Sequence, residues 1–230
     1  MLQRIIRLSL IVLVSSLLLA PAPTGQPSTG TPQAGSEIQL PKPQTDGKMS
    51  LERALATRRS VREFSSEPLT LAEIAQLAWA GQGITDPASG KRTAPSAGAR
   101  YPMELYFFTA DGVFHYRPKT HTADKVDAAD RRADLSAAAL GQASIKQAPC
   151  VFVLTAVPER TLPRYKDRTP RYIAMEAGHI GENVLLQACA LGLAGVPIGA
   201  FTDEKVGAVL GLKTGEEPMY IVAVGKPVKK

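Results

Sequence analysis

The chain is poor in the residues that build disulfide frameworks and metal sites. Its 230 residues include two cysteines, three histidines and one tryptophan. Cys150 and Cys189 both lie in strongly apolar segments, which favours buried free thiols over a disulfide. No cysteine or second histidine stands at metal-ligand spacing from His179, and no metal site is predicted. His179 is therefore interpreted as a polar anchor rather than an acid–base catalyst.

Several motifs of nucleotide and hydrolase chemistry are missing. No GxGxxG follows a strand, no Gly-rich loop ends in Lys-Ser or Lys-Thr, and neither GxSxG nor HExxH occurs. The sequence thus gives no basis for a Rossmann site, for ATP or GTP chemistry, or for these hydrolase mechanisms. Aromatic residues make up only 6% of the chain and are not interleaved with basic ones. Nucleic-acid binding is therefore not predicted, despite a formal net charge of +6.

Apolar runs of membrane-spanning length are also lacking. Residues 1–22 carry Arg4 and Arg7, then the apolar run Leu8–Leu19, then Ala-Pro-Ala. That order predicts a secretory signal peptide and an exported protein, periplasmic or secreted. The run is shorter than the ~20 residues of a typical spanning helix, so no stable membrane span is expected after cleavage. An uncleaved N-terminal anchor is the alternative.

The composition divides the remaining chain into two parts. Residues 23–47 are rich in Pro, Gly, Ser and Thr and carry few apolar residues, which predicts a disordered linker. Residues 48–230 are long enough for one domain with a sizeable core. We therefore predict a single folded domain over 48–230.

Within that domain, helix and strand patterns alternate. Thr70 and Glu73 form a capping box that begins a helix ending near Gly81, and Asp111-Gly112 is a strong hairpin signal. The other predicted helices span Ser50–Thr57, Asp124–Leu140, Arg171–Leu191 and Asp203–Leu210; the predicted strands span Glu104–Ala110, Val113–Arg117, Val151–Val157, Gly195–Phe201 and Tyr220–Val224; Gly81–Thr93 is predicted to be a loop. This arrangement predicts an α+β fold, with a mixed sheet flanked by helices.

The longest predicted helix contains two glycines, Gly178 and Gly181, each costing ~1 kcal/mol relative to alanine. Such glycines suggest that another backbone approaches closely, for example a helix of a second subunit. The preceding segment, Pro158–Arg171, holds three prolines, four arginines and a lysine. It is either a solvated surface loop or a lid over an active site.

Two stretches carry the chemistry. Arg58–Phe64, RRSVREF, places three guanidinium groups and a serine hydroxyl within five residues. Several charge-assisted donors converging on one spot suit a dianionic phosphate. The second stretch, Pro95–Pro102, PSAGARYP, is a Pro- and Gly-containing loop that runs directly into a predicted strand.

These two stretches, together with RYKDRTPRYIAMEAGHIGENVLLQACALGLAG and VPIGAF, resemble the nitroreductase superfamily of FMN-dependent oxidoreductases. PSAGARYP is most similar to its SagB-type branch, and the resemblance covers about Ser50 to Pro227. It implies an FMN-dependent oxidoreductase that transfers hydride through flavin N5 by ping-pong kinetics, with FMN at a homodimer interface. The cofactor-binding residues that it implies are Arg58, Arg59, Ser60, Arg62, Ser96, Ala97, Gly98, Arg100, Gly199, Ala200 and Lys226.

The resemblance also implies a division of roles. The arginines and Ser60 hold the phosphate and the pyrimidine edge, and the loop around Gly98 comes from the other subunit. Backbone N–H groups of Gly199 and Ala200 face flavin N5, and no side chain has to act as a catalytic acid or base. SagB-type azoline oxidases carry a Lys-Tyr pair, whereas this chain has Tyr165-Lys166 in reversed order, which argues against azoline oxidation.

The expected substrate is a small organic or peptide-derived molecule. The alternative is a non-catalytic flavin-binding or structural dimer of the same fold, because nicotinamide donors are scarce outside the cytoplasm.

Overall fold

The computed structural model describes residues 34–228. The predicted signal peptide, 1–22, and part of the predicted linker, 23–33, lie outside the described residues. In the described chain the helices are α1 (Leu51–Thr57), α2 (Leu71–Gln82), α3 (Arg132–Ala138), α4 (Ala143–Gln147), α5 (Leu162–Tyr165), α6 (Thr169–Ala190) and α7 (Asp203–Leu210). The strands are β1 (Glu37–Gln39), β2 (Ile84–Asp86), β3 (Lys91–Arg92), β4 (Met103–Thr109), β5 (Gly112–Arg117), β6 (Thr122–Asp127), β7 (Cys150–Ala156), β8 (Ala194–Ile198) and β9 (Glu217–Gly225).

Seven strands form one sheet in the order β1-β6-β5-β4-β7-β9-β8, and β2 and β3 form a separate hairpin. Every pair of neighbouring strands in these two sheets is antiparallel. The α+β class with a helix-flanked sheet is therefore confirmed, although the described strands are not a mixture of parallel and antiparallel pairs.

Strand β7 shows why the sheet lies at the centre of the core. All seven of its residues are buried, as the uninterrupted apolar run predicts. Phe152 and Leu154 belong to one hydrophobic cluster, with residues of α2 and α6, whereas Val151 and Val153 belong to a second, with residues of α3 and α7. Successive side chains of β7 point to opposite faces of the sheet, and each face packs against its own layer of helices.

The local signals at element ends are largely confirmed. Ser50 caps α1, and the Thr70–Glu73 capping box is present at the start of α2. The hairpin at Asp111-Gly112 joins β4 to β5, with Gly112 at φ 133°. These features depend on residues close in sequence, so sequence patterns predict them well.

Three sequence predictions are wrong because tertiary pairing outweighed local composition. Part of the predicted linker forms β1, in which Ile38 pairs with Ala123 of β6. The first part of the predicted helix Asp124–Leu140 is instead β6, which pairs with β5, and the helix begins only at Arg132. The predicted loop Gly81–Thr93 contains the β2–β3 hairpin.

The long helix α6 buries one apolar face, and its two glycines lie in different surroundings. A Cβ at Gly181 would lie 2.9 Å from the Tyr220 ring of β9. The close neighbour of Gly181 is therefore a side chain of the same chain, not another backbone. Gly178 is exposed, and no described atom lies within 4 Å of a Cβ built there.

Both cysteines are free thiols, in agreement with the prediction: Cys150 is buried and Cys189 is partly buried. Across residues 34–228, no group of three or more His, Cys, Asp or Glu side chains is arranged to hold a metal ion. No helix in this part of the chain combines the length and apolarity needed to cross a membrane.

Candidate functional site

The arginine-rich segment lies along the start of β8 and the end of β9. The Val61 backbone N–H donates to the Gly195 carbonyl at 3.1 Å, and the Ser65 N–H donates to the Lys226 carbonyl at 2.9 Å. Ser60 and Gly195 also form an isolated parallel bridge. The structure therefore brings the predicted phosphate-binding segment together with Lys226, although the two are more than 160 residues apart in sequence.

The side chains of this segment are not equally free. Ser60 and Arg62 are exposed, and within residues 34–228 neither the hydroxyl nor the guanidinium has a hydrogen-bond or ion-pair partner. The Arg58 Nε lies 3.7 Å from the Glu182 carboxylate. Arg59 donates to the carbonyls of Ala56 at 3.1 Å and Arg58 at 2.7 Å. Arg59 thus satisfies carbonyls at the end of α1. Ser60 and Arg62 remain as donors without a partner among residues 34–228, and Arg58 is held in an ion pair with Glu182.

Lys226 is also engaged. Its ammonium group contacts the Glu67 carboxylate, and this hydrogen bond raises the pKa of Lys226 above its ordinary value. The lysine is therefore a cation beside the segment, but one whose charge is already paired.

Gly199 and Ala200 lie at the other end of β8, where the chain leaves the sheet for α7, and both are exposed. Two hydrogen bonds hold this turn. Gln142 Nε2 donates to the Ala200 carbonyl at 2.9 Å, and the Thr202 N–H donates to the Ala138 carbonyl at 3.0 Å. At about 3.3 Å per residue, Gly199 lies ~13 Å along the strand from Gly195. The donor cluster and the predicted N5-facing turn thus stand at opposite ends of one rigid strand.

The third predicted part, the loop 95–102, is a strained turn. Ala97–Ala99 form one turn of 3₁₀ helix, and Gly98, Ala99 and Tyr101 have φ values of 59°, 53° and 47°. Left-handed alanine and tyrosine are unfavourable and persist only where the surroundings impose them. One such restraint is the Ser96 Oγ, which accepts a hydrogen bond from the Tyr101 N–H at 2.8 Å.

The segment Pro158–Arg171 packs against this loop as short helical turns. A Cβ at Gly98 would lie 2.7 Å from the Tyr165 hydroxyl. Arg160 donates to the Tyr101 carbonyl at 3.1 Å and pairs with Glu104 at 2.5 Å. The segment therefore supports the loop through side-chain contacts.

Glu104 anchors that support inside the protein. Its carboxylate also contacts His115 Nε2 at 2.7 Å. Burial opposes ionisation of Glu104, but the hydrogen bond with His115 and the charge of Arg160 outweigh it and hold the pKa of Glu104 below its ordinary value. The ionised carboxylate thus links β4, β5 and the segment that carries Arg160.

Two polar residues one turn apart on α6 lie in different environments. His179 is exposed, whereas Glu176 is only 3% exposed. Burial raises the pKa of Glu176 to about 7, against opposing contributions from the Ser96 hydroxyl and the Arg92 charge. Sequence analysis did not single out Glu176 as a site residue. Its position between the buried Ile173 and Ile180 was the available signal, because a carboxylate on a buried helix face is unusual.

Within one chain the loop and the arginine segment stand apart. Arg58 contacts Glu182, whereas Ser96 faces Glu176, six residues earlier on α6. On an ideal helix that separation is ~9 Å along the axis and about 120° around it. The structure therefore groups Arg58, Ser60, Arg62 and Lys226 beside β8 and places the loop 95–102 on another side of α6.

Comparison with known proteins assigns the family. The model of the Nitroreductase family matches residues 55–226, three quarters of the chain. The chain belongs to the Nitroreductase family. This match supports an oxidoreductase and includes all three parts of the site described above.

Individual relatives of this Nitroreductase-family chain agree with the assignment. It is 41% identical over 199 residues to MJ1384, a nitroreductase-like protein of Methanocaldococcus jannaschii, covering 84% of this chain and 98% of that protein. A crystal structure of a nitroreductase-like protein from Ralstonia eutropha superposes with a TM-score of 0.78 at 29% identity, covering 86% of this chain and 94% of that chain. The microcin B17-processing protein McbC of Escherichia coli is 26% identical over 138 residues, covering 55% of this chain and 51% of that protein.

Proposed function

We propose that this protein is an FMN-dependent oxidoreductase of the SagB type. The observation that carries the proposal is that Ser60 and Arg62 are exposed and have no partner within residues 34–228. They lie beside Arg58, at the start of a strand whose far end leads to Gly199. This donor set fits a phosphate, since two guanidinium groups and a hydroxyl offer several charge-assisted hydrogen bonds. Family membership supports flavin as the group that carries the phosphate.

The protein supplies placement and electrostatics, while a bound flavin supplies hydride transfer. Arg58 and Ser60 hold the phosphate, and Arg62 places positive charge at the pyrimidine edge. The turn at Gly199 and Ala200, which Gln142 holds through the Ala200 carbonyl, would supply backbone N–H donors to the flavin ring. No side chain is assigned as an acid or base.

We further propose that two copies of the chain complete the site, the second supplying the loop 95–102. Two observations support a partner on the helical face. Large apolar side chains of α1 and α6 are exposed, among them Leu51 at 61%, Leu55 at 56% and Met175 at 53%. A cavity of about 650 Å³ opens between α1, α2 and α6, lined in part by Leu51 and Trp79. Exposed apolar surface beside an open cavity is typical of interaction sites.

The substrate class is likewise a proposal. Similarity to McbC, a microcin-processing protein, supports a peptide-derived substrate, and a small organic molecule is the other class. Export to the periplasm or beyond is proposed from residues 1–22 alone.

The direct test is titration of FMN with the full-length protein, in which quenching of flavin fluorescence reports binding. We expect saturable binding. Arg62→Ala should weaken it about 10- to 100-fold, because a hydrogen bond to a charged group contributes about 1.5–3 kcal/mol. Lys119→Ala, which removes one exposed positive charge between β5 and β6, is the matched control and should bind normally. An Arg62→Ala variant that binds as tightly as Lys119→Ala would remove this segment from the site.

Turnover is tested on the loaded protein. Anaerobic mixing with a panel of electron donors should bleach the flavin absorbance, and an added acceptor should restore it. Stable flavin binding without reduction by any donor would instead support the non-catalytic flavin-binding alternative.

A further inference from the structure

Behind the loop 95–102 lies a buried polar cluster for which the proposed flavin chemistry assigns no role. At its centre is Glu176, whose Oε1 has no hydrogen-bond partner among the described residues. Arg92 Nε and Gln82 Nε2 also lack partners there, although Arg92 Nη1 donates to Gln82 Oε1 at 2.6 Å. Buried polar atoms without partners are rare and costly, so each one calls for an explanation.

Both cationic and anionic side chains surround Glu176. Arg92 of β3 is the cation that lowers the pKa of Glu176, and α2 contributes the neutral Gln82 beside Arg92. The titratable and charged groups that act on Arg92 in turn are Glu104 of β4, Tyr101 of the loop and Arg160 of the supporting segment. The Glu176 carboxyl can therefore exist in either charge state, because burial favours the neutral form and Arg92 favours the ionised one.

Ser96 connects this carboxyl to the loop. Its hydroxyl faces Glu176, and its Oγ accepts the Tyr101 N–H at 2.8 Å. A serine hydroxyl has a single proton, so a Ser96 that accepts from Tyr101 can donate that proton to Glu176. The resulting chain, from Tyr101 N–H through Ser96 to the carboxyl, closes the turn that contains the left-handed Gly98 and Ala99.

We infer that Glu176 is a positioning residue, whose ionised carboxylate holds Ser96 and so fixes the loop 95–102 in its flavin-binding conformation. Protonation of Glu176 weakens that restraint and loosens the turn. The inference rests on the proposed function, because the conformation of the turn affects the cofactor only if this loop contacts it.

The expected size of the pH effect on FMN affinity follows from hydrogen-bond energies. A bond to a charged acceptor is about 1 kcal/mol stronger than one to a neutral acceptor, which corresponds to about a fivefold change in an equilibrium constant. The raised pKa of Glu176, about 7, places this change between pH 6 and pH 8. FMN affinity should therefore rise about fivefold over that interval through Glu176, in addition to any effect of the FMN phosphate, whose second pKa is about 6.

The binding experiment separates these two contributions. FMN dissociation constants are measured from pH 5.5 to 8.5 for wild type, Glu176→Gln and Glu204→Gln, the last removing an exposed carboxylate on α7. The phosphate contribution is common to all three proteins. We expect the additional fivefold rise in wild type and Glu204→Gln but not in Glu176→Gln. Identical pH profiles in wild type and Glu176→Gln would overturn the inference while leaving the proposed function intact.

A second measurement needs no cofactor. Hydrogen-exchange protection of the Tyr101 amide, corrected for the intrinsic pH dependence of exchange, should increase from pH 6 to pH 8 in FMN-free wild type. The increase should be lost in Ser96→Ala, a conservative change that leaves Glu176 in place. Failure of wild type to bind FMN at any pH would reject the proposed function, and Tyr101 protection that is the same at both pH values would reject this inference independently.

Discussion

The contact between Gly98 and Tyr165 offers a direct test of the loop geometry. Gly98 has a φ of 59°, and a Cβ there would lie 2.7 Å from the Tyr165 hydroxyl. Gly98→Ala therefore destabilises the folded protein in two ways. Left-handed alanine costs about 1–2 kcal/mol, and the close contact adds about 1 kcal/mol, at the low end for overpacking because the hydroxyl is the far end of a side chain.

Gly141→Ala is the matched control for Gly98→Ala. Gly141 has a φ of 74°, and no described atom lies within 4 Å of a Cβ built there. Only the backbone cost of 1–2 kcal/mol applies to it. In urea unfolding of FMN-free protein, we expect Gly98→Ala to lower the free energy of unfolding by about 2–3 kcal/mol, about 1 kcal/mol more than the control.

The double variant Gly98→Ala/Tyr165→Phe isolates the contact. Removing the hydroxyl leaves Arg164 Nε, at 3.3 Å, as the next neighbour of the new Cβ. The extra ~1 kcal/mol should therefore disappear, giving a coupling energy of that size in the double-mutant cycle. Equal costs for Gly98→Ala and Gly141→Ala, with no coupling to Tyr165, would refute the packing of the Pro158–Arg171 segment on the loop.

Three further predictions concern stability. Glu176 has a folded-state pKa of about 7 against an ordinary 4.5. Its contribution to the stability of the folded protein is therefore greatest below pH 4.5 and is lost as the pH rises to 7. In urea titrations, the free energy of unfolding of wild type relative to Glu176→Gln should fall by at most ~1.4 kcal/mol per pH unit between pH 4.5 and 7 and stay constant above pH 7. A difference between the two proteins that is the same at every pH would contradict this. Gly181→Ala should destabilise by about 1–3 kcal/mol in thermal unfolding, since its Cβ would meet the Tyr220 ring, whereas Gly178→Ala should not. Thr70→Ala should cost about 1 kcal/mol through loss of the N-cap, and an unchanged melting temperature would argue against the cap.

Sequence reasoning succeeded where the determining residues are close in sequence. The capping box at Thr70 and the hairpin at Asp111-Gly112 depend on contacts over a few residues, and both are present. Strand β1 could not be predicted in this way, because its backbone pairs with β6, about 85 residues away. Strand β6 itself lies in an Ala- and Asp-rich stretch, and pairing with β5 determines its conformation.

The same distinction applies to the site. The clustering of Arg58, Ser60 and Arg62 is visible in a seven-residue stretch of the sequence. In the structure Ser60 and Arg62 are exposed, whereas Arg58 forms an ion pair with Glu182. The use of Arg59 to satisfy carbonyls of α1 depends on side-chain direction, which the spacing of residues does not specify. The burial of Glu176 depends on which face of α6 meets β3 and the loop 95–102, a tertiary property.

The central claim is that Arg62 of one protomer and Gly98 of its partner contact the same flavin. Intersubunit complementation tests it most directly: Arg62→Ala and Gly98→Ala chains carrying different affinity tags are co-expressed, and the doubly tagged dimer is purified. If the site is shared, each mixed dimer contains one wild-type site and one doubly altered site, and it should bind one FMN with wild-type affinity. Binding no tighter than that of either single-variant homodimer would show that each chain carries its own complete site and would contradict the account.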